Sequence, residues 1–123
     1  MRPLLVSNIV ALREHLKPAQ PVLFGNLERS ELPPSRTELS RALEHARRKG
    51  SEFTLMVPEV AQEEHLPQWM RLARMAAAHS LQNAVASRDP RVLALARSSS
   101  APFHLREWEE LLARMPLAPE PPL

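Results

Sequence analysis

Five histidines, one aspartate and two glutamate pairs are the residues able to do chemistry in this 123-residue chain, which contains no cysteine. The histidines stand at His15, His45, His65, His79 and His104, with no His-x-His, His-x3-His or HExxH spacing between them. Glu14-His15, Glu44-His45 and Glu64-His65 recur as a dipeptide. Sequence neighbours on a helix point about 100° apart, so such a pair is not expected to chelate one ion. A metal centre would have to be assembled from separate helices, and none is expected.

Nucleophilic chemistry finds no better support. Ser98, Ser99 and Ser100 lack a G-x-S-x-G setting, and Asp89, followed by Pro90, is placed to cap a helix. Glu63-Glu64 and Glu109-Glu110 suit a helix dipole or a solvated face better than paired acid–base work. Gly25 and Gly50, the only glycines, cannot make a Walker or dinucleotide loop. The residues therefore predict no catalytic group, no cofactor and no metal, and a protein that is not an enzyme.

Charge points to a second kind of site. Arg41, Arg47, Arg48 and Lys49 lie on or beside one face of the segment 36–49, where counterion release would favour contact with nucleic acid phosphates. Against this, basic residues in a last helical turn complement the dipole, Glu44 interrupts the face, and there is no tyrosine to stack on bases. A helix-turn-helix would need a second helix where a strand-like run follows. The net charge of +2 is modest, and the pI near 9.9 is high because fourteen of the sixteen basic residues are arginine.

The elements that must carry these residues read as mostly helical. The longest helical pattern is Leu66 to Arg88, with Pro67 early, acidic residues upstream and Asp89-Pro90 as its stop. Arg71, Arg74, Ala78 and Gln82 make a narrow polar stripe. Trp69, Ala73, Ala76, Ala77, Ser80 and Ala84 run opposite, a small-residue face suited to close approach by another helix. Two arginines, a histidine and two amides in the span disfavour a transmembrane reading.

Residues 3–17 predict a helix through Leu5, Ile9, Leu12 and Leu16, or a shorter one capped by Ser7. Ser35 with Glu38 forms a capping box for a helix over 36–49, which Gly50 closes. Further helices are expected over 90–97 and 103–115, the last with Leu105, Trp108, Leu112 and Met115 on one face. Residues 21–25 and 52–57 read as extended. A β-α-β crossover around the capped helix is conceivable, yet two strands alone make a poor sheet.

The expectation is therefore a mainly α protein: a single helical-bundle domain, 1–115, of about five helices with at most a short two-stranded ribbon (21–25, 52–57). The proline-rich tail 116–123 is expected to be extended or disordered. No secretory signal is read, which predicts a cytoplasmic protein. Amphipathic helices without a catalytic constellation predict a non-enzymatic interaction module, an adaptor, chaperone-like or regulatory subunit, binding a protein or a second copy of itself. Its expected interface is Trp69, Ala73, Ala76, Ala77, Ser80, Ala84 and Trp108; nucleic-acid binding through Arg41, Arg47, Arg48 and Lys49 is the alternative.

Overall fold

Four short runs rich in apolar residues lie side by side as parallel strands, in a computed structural model that describes residues 1–25, 32–78, 82–98 and 104–115. They are β1 (Leu4–Val6), β2 (Val22–Phe24), β3 (Phe53–Val57) and β4 (Asn83–Ser87), in the spatial order β1-β2-β3-β4. Leu4 pairs with Val22, Val22 with Phe53, and Phe53 with Asn83, so one register line crosses the whole sheet. The helices are α1 (Ile9–His15), α2 (Arg36–Arg48), α3 (Leu66–Ala78), α4 (Pro90–Ser98) and α5 (Trp108–Arg114). The protein is an α/β fold, and the expected all-helical bundle with a two-stranded ribbon is wrong.

The physical reason lies in burial. Every residue of β2, β3 and β4 is buried, so these strands lack the polar-apolar alternation that marks a half-exposed strand. The two expected extended runs do pair, in parallel, but as the middle of a four-stranded sheet. The expected helix over 3–17 divides into β1 and α1, with Asn8 as the cap: its Oδ1 accepts from Ala11 N at 2.8 Å. The expected helix from Leu66 to Arg88 stops at Ala78, and Asn83–Ser87 becomes β4.

Because each crossover moves one strand further in the same direction, the helices between strands gather on one face. Leu12, Leu39, Leu72 and Val92 from α1 to α4 share a core with Val6, Phe24, Phe53, Leu55, Val57 and Val85. Phe24 and Phe53 stack there at 5.6 Å between ring centroids. On the opposite face, Leu23, Met56 and Ala86 are covered by Trp108 and Leu111 of α5. Arg88 lies over the Trp108 ring at 5.2 Å and bonds Glu109 at 2.9 Å, which fastens α5 to the end of β4.

Local signals hold best in α2. Ser35 Oγ accepts from Glu38 N at 3.0 Å. Gly50 is left-handed at φ +66°, Ser51 N donates to Ala46 O and Gly50 N to Arg47 O, which satisfies the final carbonyls. The capping box is only half formed, since Glu38 Oε2 accepts from Ile9 N at 3.4 Å and so caps the neighbouring helix. Gly25, at φ +153°, ends β2 where a Cβ would sit 2.7 Å from Met56 O. Only glycine lets the chain pass β3 at that point.

Candidate functional site

Parallel sheets bind ligands beyond the carboxyl ends of their strands, in the crevice that opens where the strand order reverses. Here the order β1-β2-β3-β4 has no reversal, so the strand order of the described residues provides no such switch point. The polar groups at that edge serve the fold. Ser87 Oγ accepts from Asp89 N at 3.0 Å. Asp89, inaccessible to solvent, accepts from Val60 N and Arg91 N at 2.9 Å each, and from Arg91 Nε at 3.0 Å and Nη2 at 2.9 Å. Arg91 Nη2 also donates to Val60 O at 2.7 Å.

Burial alone would raise the Asp89 pKa. The Arg91 guanidinium and the amides of Val60 and Arg91 outweigh it and hold the carboxyl below its ordinary value. A fully hydrogen-bonded carboxylate has no lone pair free for a substrate. Asp89 therefore does the expected capping of α4 and, beyond that, ties the loop after β3 to the turn after β4. That second role depends on Val60 and Arg91 and had no signal in local sequence.

The opposite edge collects the cations. Arg47 bonds Glu44 twice, at 2.6 and 2.9 Å, and Arg48 bonds it at 3.2 Å. The Arg47 hydrogen bond, followed by the charges of both arginines, brings the exposed Glu44 carboxyl down to about 2. Among the described residues Arg41 and Lys49 have no ion pair. The expected nucleic-acid face is thus partly neutralised by its own glutamate. Beside it an open hollow of about 230 Å³ is lined by Ser40, Glu44, Arg47, Ser51 and Asn83 among others.

His45 sits between these cations. Its Nε2 is buried without a hydrogen-bond partner among the described residues. Desolvation, then the charges of Lys49, Arg13 and Arg48, push its pKa below 6.5. In the unfolded chain that proton binds at about 6.5, so on acidification the unfolded state takes it up first. Stability is expected to fall as pH drops below about 6.5 and to level off below the folded-state pKa. Urea midpoints across pH 5–8 check this; a His45→Gln variant with the same slope would remove His45 as its source.

The expected protein interface is largely covered by the chain itself. Trp69, Ala73 and Ala76 are at most 3% exposed, and Ala77 is half-buried against the same core. Ala84 is a buried residue of β4 paired with Thr54, and Trp108, the first residue of α5, is buried against the other face of the sheet. Ser80 and His79 lie outside the described residues, as does the tail 116–123. Two of the Glu-His dipeptides make contact, at 3.8 Å for Glu14-His15 and 3.3 Å for Glu64-His65. Among the described residues no three potential metal ligands converge, and no helix is long and apolar enough to cross a membrane.

What the sequence reading missed is an edge. The outer side of β4 is occupied: Val85 N donates to His104 O, and Arg106 N donates to Val85 O, both at 2.9 Å, around a bridge to Leu105. Among the described residues the outer side of β1 is open. Leu4 N donates inward to Pro21 O and Val6 O accepts from Gly25 N. By strand parity the N–H and C=O of Leu5 then point away from the sheet. Among the described residues nothing pairs with them. Leu4 and Leu5 are half-buried there, and Val10 on α1 is 61% exposed. No signal short of the sheet topology could have revealed this edge. Comparison with protein-family models, curated proteins and solved structures finds no match to this chain.

Proposed function

We propose that this domain is a non-catalytic protein-interaction module that binds by strand addition at β1. The observation that carries the reading is the main chain of Leu5 at the outer edge of β1, which has no partner among the described residues. Proteins that need a sheet edge to stay solitary guard it with short strands, prolines, charges, bulges or covering segments. The strand Leu4-Leu5-Val6 has no charge, and only Pro3 and its short length restrain pairing. An extended partner segment would gain main-chain hydrogen bonds from this edge and apolar contact from the half-buried Leu4 and Leu5.

A matched pair of variants tests it. Leu5→Pro removes the outward N–H, while the bonds of Leu4 and Val6 to β2 remain; Leu5→Ala loses the same side-chain packing and keeps the N–H. Both are expected to be folded and similarly destabilised, by about 1–2 kcal/mol. Proteins recovered from a native extract with the wild-type and Leu5→Ala chains should be lost with Leu5→Pro, by about tenfold or more. An unchanged set of partners with a folded Leu5→Pro chain would overturn strand addition at β1.

A further inference from the structure

Resting on that reading of β1, we propose that the strand added to this edge is β1 of a second copy, paired antiparallel about a two-fold axis at Leu5. The topology restricts the choices. Self-association through the sheet needs open edges, and the outer edge of β4 is already taken by the segment around Leu105. A head-to-tail contact of β1 with β4 would therefore have to displace that segment from Val85. What remains is β1 against β1, an isologous contact that closes after two copies and does not propagate into a fibre.

The residues of the edge complement themselves in that register. Leu5 faces Leu5 of the other copy, and their outward N–H and C=O groups exchange hydrogen bonds. Pro3 faces Ser7, so the Ser7 amide meets a Pro3 carbonyl at each end of the ladder. The N–H that proline lacks is then missing only at the ends. Leu4 faces Val6, and Arg2 faces Asn8, so no like charges are opposed. Both faces of the join carry apolar groups: Leu5 packs against the α5 side and Leu4 against the core of the other face. A strand of three residues gives a small interface, which places the dimer at the weak end of specific association.

Amide exchange measured on the full chain, together with sedimentation equilibrium, tests this directly. A dimer with a dissociation constant of about 10 µM to 1 mM is expected. Between dilute samples and one at about 1 mM, protection of the Leu5 amide should rise, by about tenfold at the tight end of that range and about twofold at the weak end, whereas Leu4, already bonded to Pro21, should not change. Leu5→Pro should be monomeric throughout, and Leu5→Ala should still dimerise. A strict monomer at about 1 mM overturns the proposal. So does a dimer whose Leu5 amide stays unprotected. If the chain is monomeric but a foreign protein protects Leu5, self-pairing falls and strand addition stands; if nothing ever protects Leu5, both fall.

Discussion

Replacing Asp89 by alanine is expected to lower the unfolding free energy by about 3–5 kcal/mol, the cost typical of breaking a buried ion pair from one side. Asp89 is fully buried and accepts from Val60 N, Arg91 N and the Arg91 guanidinium. The Val60 amide, on a residue 5% exposed, would be left without its acceptor. Arg91, with its side chain 38% exposed, can turn towards water, which places the cost nearer the lower figure. For a chain of this length the melting temperature should fall by roughly 10–20 °C. The pH dependence follows from the depressed folded-state pKa. The carboxylate's stabilisation is complete above its unfolded value near 3.9 and is lost as pH falls through the folded pKa, so wild type and variant should converge only in acid. Urea denaturation at pH 7 and pH 3 measures both effects. A variant within about 1 kcal/mol of wild type at pH 7 would show that Asp89 is not structural, and would reopen the carboxyl edge as a candidate site.

How much of this was legible in the sequence depended on whether the signal was local. The helix α2 was legible nearly to the residue, because Ser35 and Gly50 act on amides and carbonyls within their own turns. The capping role of Asp89 was legible for the same reason. The sheet was not. In Asn83–Ser87 the alanines favour a helix by intrinsic propensity, and only pairing with Phe53–Val57 makes the segment a strand. In Leu4–Val6 the leucines coincide with the helical spacing of Ile9, Leu12 and Leu16, which conceals a break at Asn8. The candidate site was still less legible. The openness of β1 is a property of strand order, and that order requires knowing that four strands exist. The basic cluster was visible as a charge run, but its pairing with Glu44 needed side-chain geometry.

Trp69→Ala is expected to cost roughly 3–5 kcal/mol in the isolated chain, as loss of a buried aromatic usually does. The side chain is 3% exposed in the core between α3 and the sheet, among residues that include Leu72 and Val85. The small residues Ala73 and Ala76 on the same side of α3 are fully buried. The close approach that this face suggested is therefore made, but its partner is the chain's own sheet, which α3 meets at β3 and β4. The two uses of the face predict different results. A tryptophan reserved for an interface would leave the monomer's denaturation midpoint unchanged and alter only binding. A core tryptophan shifts the midpoint at every protein concentration, and any loss of binding tracks the unfolded fraction. Trp69→Phe, which keeps most of the volume, should recover more than half of the alanine loss. Ala76→Leu, which adds volume where none is free, should destabilise by about 1–3 kcal/mol. If Trp69→Ala and Ala76→Leu both left the midpoint in place, the core assignment of α3 would be wrong; if both shift it, this face of α3 is spent on the chain's own sheet and is not free to serve as an interface.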